Sequence, residues 1–304
     1  MSLHGHILIT GNGTLAAAIL RTARTERWDA TFTLFSRSES RLAQSAARWG
    51  VRTIIGDVRD AAAVHAAVAG HEVVIHTAAL KRIPECEAQP DECLATNVAG
   101  TLHVARACLA HGVRTAIAIS TDKACRATTA YGASKLLTES IWRAQPAGRT
   151  AFVAVRYGNV VASNGSVIPI WRQQWNAGQF LTITDMRMSR FWMAPAEAVA
   201  LIGHAAEGQS GDVWIPKMGG LSVARMAEII CPGARLAETG LRSTEKLHED
   251  LIAPDEPAVE TTTHYVLRAG GTTGHAYTSA SAPAVARDAF LAMLRDAEEL
   301  EALR

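Results

Sequence analysis

Through the first half of the chain, short apolar runs alternate with longer Ala-rich stretches in which apolar and polar positions recur at helical spacing. The runs "HILIT", "TFTLF", "VRTII", "EVVIHT", "TAIAIS" and "AFVAVR" predict strands, and the stretches 14–25, 39–49, 60–69, 90–111 and 129–144 predict the helices between them. Near-continuous apolar strands separated by helices call for a parallel sheet covered on both faces, a Rossmann-type doubly wound α/β fold. From about residue 157 the rhythm breaks into Gly, Pro and Ser punctuation at "GNVVASNGSVIP", "IPKMGGLS" and "CPGARLAETGLRSTEK", which predicts a smaller mixed α/β lobe. The expected division is a dinucleotide-binding domain at 1–156, with 193–214 returning to it, and a substrate-binding lobe made of 157–192 and 215–304. A mobile loop is expected at 270–282, ahead of a last helix at 283–303.

Composition narrows the partners. With 304 residues the chain is long enough for a large core, and a formal net charge of +1 with scattered basic residues gives no electrostatic footprint for nucleic acid or an anionic membrane. The longest apolar runs fall short of a membrane span, and "MSLHGHILIT" enters a strand pattern with no cleavable signal, so a cytoplasmic protein with a small soluble substrate is expected. The five cysteines, Cys86, Cys93, Cys108, Cys125 and Cys231, are widely spaced without a C-x-x-C pair. That pattern fits reduced thiols and predicts no metal site.

The stretch "ILITGNGTLAAAIL" is a strand, a glycine turn and a helix start, matching G-x-G-x-x-A with Gly11, Gly13 and Ala16. Glycines let the backbone turn tightly and approach a pyrophosphate at the helix N-terminus, and a small third residue lets helix and strand pack closely. Thr14 and Leu15 open that helix and join Gly11 and Gly13 as cofactor candidates. The second strand ends in "LFSRSESR", with Ser36 and Arg37 where an NAD site normally carries a carboxylate. A hydroxyl and a guanidinium suit a 2′-phosphate, so NADP is the expected cofactor; the alternative is NAD, with Glu39 on the ribose and Arg37 a solvated loop residue. After the third strand, Asp57 and Val58 of "GDVRD" are expected against the adenine.

Tyr131 and Lys135 of "YGASK" are spaced i, i+4 and share a helix face. The lysine's positive charge, added to that of an oxidised nicotinamide, favours tyrosinate and lowers the phenol from its ordinary pKa of about 10, so Tyr131 can accept a hydroxyl proton as hydride leaves. Thr121, Asp122 and Lys123 of "STDK" fall at a strand carboxyl end, where doubly wound sheets bind ligands. A simple dehydrogenase needs one acid/base pair; two pairs imply a second step. Oxidising a sugar at C4 acidifies the C5 hydrogen, so a base can remove it while an acid helps the C6 hydroxyl leave as water. Hydride returned to C6 then leaves a 4-keto-6-deoxy sugar. Asp122 and Lys123 are the candidates for the elimination, expected to share one proton and titrate as a unit. The other reading of the pair is a surface ion pair of little worth.

Together these residues resemble the extended short-chain dehydrogenase/reductase superfamily and, within it, the soluble inverting UDP-N-acetylglucosamine 4,6-dehydratase group of polysaccharide-biosynthesis proteins. The likeness runs from the first strand to about residue 252. It is carried by "AALKRIPECEAQPDECLATNVAGT", "STDKA", "YGASK", "RYGNVVASNGSVIP", "LTITDMRMSRFWM" and "GLRSTEKLHEDL" in the family's order. The resemblance implies an NADP-dependent lyase acting on a UDP-amino sugar, with Tyr131 and Lys135 as the oxidation pair, Thr121 holding the C4 oxygen, and Asp122 with Lys123 as the elimination acid and base. It implies that Asn97 supports the catalytic lysine through water. It places Ala78, Ala79 and Lys81 of "AALK" at the cofactor, with Lys81 also at the sugar. Asn159, Ser166 and Val167 are implied near the sugar and diphosphate, and Arg190, Arg242 and Glu245 lie in nucleotide-binding segments. C5 inversion and a homo-oligomer built on helices 90–111 and 129–144 are further implications.

Departures from the family pattern fall in the loops. "TGNGTLA" is one residue shorter than T-G-x-x-G-x-x-G, "GLRSTEK" lacks the Pro-Gly of "GLRPGEK", "MSRF" stands for "MTRF", and "CRATTAYG" lacks the proline before the tyrosine. These loops frame the substrate, so a modified UDP-amino sugar falls within the expectation. Two rivals stand beside it: a UDP-sugar 4-epimerase, which needs only Tyr131 and Lys135, and a non-catalytic NADP-binding regulator on the same fold.

Overall fold

Six parallel strands form where the apolar runs place them: β1 (Gly5–Thr10), β2 (Ala30–Ser36), β3 (Arg52–Ile55), β4 (Val73–His76), β5 (Thr115–Thr121) and β6 (Ala151–Tyr157). In this computed structural model, which describes residues 2–146, 148–161 and 166–302, they pair in the order β3-β2-β1-β4-β5-β6. Helices cover both faces, so Ile7, Leu8, Ile9, Val74, Ile75, Ile117 and Val153 are fully buried, which is why these strands carry continuous apolar runs instead of alternating ones. The order reverses between β1 and β4, and that switch point opens a crevice at the strand carboxyl ends.

Beyond β6 the sheet continues with segments from the second half of the chain. Val213–Pro216 adds parallel to β6, followed by His264–Leu267 and Ala258–Glu260, both antiparallel. The last two strands fall within 215–304, the stretch expected in the smaller lobe, and they extend the main sheet instead. What remains of that lobe has its own apolar core of Val161, Ile168, Trp171, Leu181, Trp192 and Phe290. Its small sheet runs Gly219–Ser222, Ser189–Met193 and Asn159–Val160.

Helices Thr14–Thr25 and Glu39–Trp49 have the bounds the periodicity predicts. The single helix expected over 90–111 is instead broken into Pro90–Cys93, a π-helical stretch Leu94–Ala99 and Gly100–His111. The widened turn carries Asn97, and single π turns are frequent at functional sites. The segment 270–282, expected to be a mobile loop, is held down. Tyr277–Thr278 pairs with Asp250–Ile252, and the buried Tyr277 hydroxyl donates to the Met218 carbonyl. One aromatic anchor with a satisfied polar tip accounts for the difference. The last helix is Arg287–Ala302; Leu303 of the expected span lies outside the described residues. All five cysteines are free and buried, and no helix among the described residues is long and apolar enough to cross a membrane.

Candidate active site

A cavity of about 750 Å³ runs along the strand carboxyl ends from the glycine loop, past the end of β5, into the smaller lobe. Gly11 sits at φ +90°, and a Cβ there would lie 2.7 Å from Thr77 Oγ1 and 3.1 Å from the Ala78 nitrogen, so only glycine lets this loop pass β4. Gly13 caps helix Thr14–Thr25, and among the described residues no atom beyond its chain neighbours and the adjoining helix backbone lies within 4 Å of where its Cβ would be. No acidic residue occupies that helix's first turn, and its positive end faces the open space, which suits phosphate oxygens. Thr14 and Leu15 line the same end of the cavity, as do Ala78, Ala79 and Lys81 after β4. Ala16 is fully buried against the sheet, as the motif requires.

Ser36 and Arg37 line the cavity at the end of β2, joined by Ser38 and Arg41, two residues the sequence reading did not single out. Glu39, the alternative ribose ligand, is exposed and outside the cavity lining. Val58 and Asp57 line the same cavity. Burial acts to raise the Asp57 carboxyl, but hydrogen bonds from Arg59 at 2.7 and 2.9 Å, with Arg37 3.6 Å away, hold it below its ordinary range.

Asn97 does not line the cavity. Its carboxamide accepts from the Leu80 backbone N–H at 2.7 Å and donates to the Leu80 carbonyl at 2.9 Å and to Ser134 Oγ at 2.9 Å. It therefore buckles the loop after β4 to the helix Ala130–Arg143, one residue from Lys135.

The chemical centre is assembled at the end of β5. Thr121 Oγ1 donates to Asp122 Oδ1 at 2.9 Å, and Lys123 Nζ donates to the same oxygen at 3.0 Å. Asp122 is fully buried, and its Oδ2 has no hydrogen-bond partner among the described residues. Burial raises the Asp122 carboxyl, with Lys123 opposing. Burial works against the Lys123 ammonium, yet Asp122 and Glu249 outweigh it and raise its pKa well above the ordinary lysine value. The pair is thus buried and engaged, unlike a solvated surface ion pair. Gly132 packs so tightly here that a Cβ would overlap the Lys123 carbonyl oxygen. Its amide is also capped by Thr129 Oγ1 at 2.9 Å.

Tyr131 and Lys135 both face the cavity from helix Ala130–Arg143. The expected lowering of the phenol rests on Lys135 together with an oxidised nicotinamide, and the protein's own groups do not supply it. Burial pushes Tyr131 up to about 12, and the groups that offset it are Lys123 and a hydrogen bond with Thr121. Lys135 is itself pushed down to about 8 by burial, with Glu139 working the other way. The protein alone therefore holds the phenol neutral, and ionising it requires positive charge from a bound group.

Behind the site, Arg156 is 1% exposed and donates to Glu139 at 3.0 and 2.6 Å and to Glu256 at 2.8 and 2.7 Å. Glu139 also accepts from Ser120 Oγ. This buried network joins β5, β6, the tyrosine helix and the chain at 251–256. Its one visible sign in the sequence is an arginine at the end of the apolar run "AFVAVR".

In the smaller lobe Asn159, Ser166 and Val167 line the cavity, with Arg190 and Glu245; Ala162–Gly165 of the same motif lie outside the described residues. Arg190 NH2 is 3.6 Å from Glu245. Arg242 is exposed and is not brought to the cavity. Its loop faces solvent, so a place in the motif did not translate into a place in the site.

A glycine loop at the switch point of a Rossmann-type sheet, with a tyrosine and a lysine one helical turn apart at the end of β5, defines an extended short-chain dehydrogenase/reductase. More narrowly, the chain belongs to the polysaccharide biosynthesis protein family, whose sequence profile matches residues 7–270. A UDP-N-acetylglucosamine 4,6-dehydratase (inverting) of Campylobacter jejuni is 38% identical over 232 residues, covering 73% of this chain and 70% of that one. A UDP-glucose 4-epimerase of Rickettsia rickettsii is 38% identical over 213 residues, covering 67% of this chain and 62% of that one. Among solved structures, Pen from Bacillus thuringiensis superimposes with a TM-score of 0.87 at 29% identity, covering 97% of this chain and 98% of that one.

Proposed function

We propose that the protein is a nicotinamide-dependent sugar-nucleotide 4,6-dehydratase that converts UDP-N-acetylglucosamine, or a close UDP-amino sugar, to a 4-keto-6-deoxy product. The observation that carries this reading is the buried Asp122–Lys123 contact at 3.0 Å, whose lysine lines the same cavity as Tyr131 and Lys135 while Asp122 lies just behind it. Equal identity to a dehydratase and to a protein named an epimerase leaves the decision to chemistry, and an epimerase has no use for a second acid/base pair. When bound, the nicotinamide supplies reversible hydride acceptance. Tyr131 takes the C4 hydroxyl proton, with Thr121 hydrogen-bonded to the C4 oxygen.

The elimination needs a neutral amine and a neutral acid at once. The resting pair holds one proton as Lys123 ammonium and Asp122 carboxylate, and moving it across the 3.0 Å contact gives the reactive arrangement. The burial that raises Asp122 favours that arrangement. Lys123 then accepts the C5 proton while Asp122 gives its own to the C6 hydroxyl, which leaves as water. This leaves Lys123 as ammonium and Asp122 as carboxylate, and the enone must still gain the hydride at C6 and a proton at C5 to become the 4-keto-6-deoxy product.

NADP is our cofactor assignment, supported by Ser36, Arg37, Ser38 and Arg41 around one end of the cavity. Arg37→Ala is expected to weaken NADP binding by about 10- to 100-fold and NAD binding by less than threefold, since a charge-assisted contact to phosphate contributes about 1.5–3 kcal/mol. Titration of both dinucleotides by calorimetry checks this, and equal losses would overturn the assignment. We further propose a cytoplasmic protein, C5 inversion on the name of the Campylobacter relative, and a homo-oligomer on exposed Leu94, Leu136 and Leu137 in the stretches 90–111 and 129–144. The main sheet takes the dinucleotide and the smaller lobe the sugar nucleotide.

Incubation with UDP-N-acetylglucosamine and NADP in deuterated water, followed by mass spectrometry, tests the reaction. Loss of one water with uptake of solvent deuterium is expected. A product of unchanged mass with C4 epimerised would establish the epimerase instead.

A further inference from the structure

Lys123 lies between two carboxylates. Its Nζ is 3.0 Å from Asp122 Oδ1 and 3.5 Å from Glu249 Oε1. Glu249 is 4% exposed, and its backbone N–H donates to Ser279 Oγ at 3.0 Å, so the side chain is presented from a fixed backbone. Arg190 Nε lies 3.7 Å from the same Oε1, while the rest of that guanidinium is engaged by the carbonyls of Ser189, Lys246 and Leu247. Glu249 Oε2 is buried without a hydrogen-bond partner among the described residues. Glu249 lies in the segment "GLRSTEKLHEDL" that carries part of the family resemblance, but the resemblance gave it no role.

We propose that Glu249 is a positioning residue for the elimination step, a second anion that acts through Lys123 by holding its amine in place and stabilising the ammonium formed when the C5 proton arrives. The inference rests on the dehydratase reading. Asp122 cannot fill this role, because in the reactive arrangement it is neutral and regains its negative charge only as it passes its proton to the departing water. A counter-charge useful to the transfer must already be in place, and Glu249 is. The charged and titratable groups facing Lys123 are Asp122, Glu249, Arg190 and the Tyr131 phenol; those facing Glu249 are Lys123, Arg190, Lys246 and Asp122. Among these, Lys123 alone is shared by both carboxylates within ion-pair distance, which makes it the group through which Glu249 reaches the chemistry.

Two measurements on Glu249→Gln and Glu249→Asp test this. The first needs no substrate: the rate at which limiting acetic anhydride acetylates Lys123 at pH 9, read by peptide mass spectrometry against Lys135 and surface lysines. Removing an anion within ion-pair reach lowers an amine's pKa by about one unit or more, so Glu249→Gln is expected to raise the Lys123 rate about tenfold. Glu249→Asp should recover most of the wild-type value. In the second, with UDP-N-acetylglucosamine, Glu249→Gln should slow water loss about 100-fold while transient cofactor reduction, which reports the C4 step, stays within about threefold. An unchanged acetylation rate would overturn the proposal, as would parallel loss of both steps that Glu249→Asp fails to rescue. Wild-type enzyme that loses no water while the acetylation shift persists would instead overturn the dehydratase reading, and the elimination role with it.

Discussion

Lys123→Ala gives an enzyme that still oxidises C4 but no longer releases water, with turnover to the 4-keto-6-deoxy product falling about 10²- to 10⁴-fold, the range over which a positioned proton-transfer group accelerates reaction. The split follows from geometry. Tyr131 and Lys135 sit on helix Ala130–Arg143, and Lys123 on the short 3-10 turn Asp122–Ala124 after β5, so Lys123 shares the cavity with the oxidation pair without sharing its backbone element. Stopped-flow absorbance of the reduced cofactor reads the first step, and mass spectrometry of the nucleotide sugar reads the second. A 4-epimerase has no elimination to lose, so undiminished turnover in Lys123→Ala would transfer the protein to that class.

The second large effect is expected where no functional group is present. Gly132→Ala inserts a methyl against the Lys123 carbonyl oxygen, in a position where the neighbour is backbone and cannot swing aside. The tyrosine helix must back away from the 3-10 turn. Overpacking of this kind costs about 1–3 kcal/mol of stability. A displacement of about 1 Å between reacting groups costs about 10²-fold in rate. Chemical denaturation and steady-state turnover measure the two, and here, in contrast to Lys123→Ala, both partial steps should fall together. A variant with wild-type stability and rates would show that the close approach is unimportant.

Much of this was legible in the chain itself. Apolar runs bounded by glycine gave the parallel strands, because strands buried on both faces leave little choice of residue. The glycine loop and the Tyr131–Lys135 spacing gave the crevice, since each motif carries its own geometric requirement. What was hidden depends on contacts between distant segments. Glu249 lies 126 positions from Lys123, and no local pattern announces that it will arrive there. The same holds for His264–Leu267, which looked like part of a loop-rich lobe and became a strand of the main sheet. The π turn at Leu94–Ala99 was read as ordinary helix because its composition is that of ordinary helix. The groups that offset the burial of Tyr131, Lys123 and Thr121, were hidden for a related reason: helical spacing fixes which residues are neighbours but not how dry their surroundings are.

The late arrival of the outer strands bears on how this chain is made. Once β6 has left the ribosome its outer edge has no partner until Val213–Pro216 appears, and Arg156 has no Glu256 until roughly 100 residues more have been added. At about 5–20 residues per second, that interval lasts about 5–20 s. During it the half-built sheet offers an open hydrogen-bonding edge and a buried arginine missing one of its two carboxylates. Strand β5 and the tyrosine helix therefore reach their final rigidity only after that interval. Conditions that crowd nascent chains together would be felt first as aggregation of this protein, well before any loss of activity in molecules already complete.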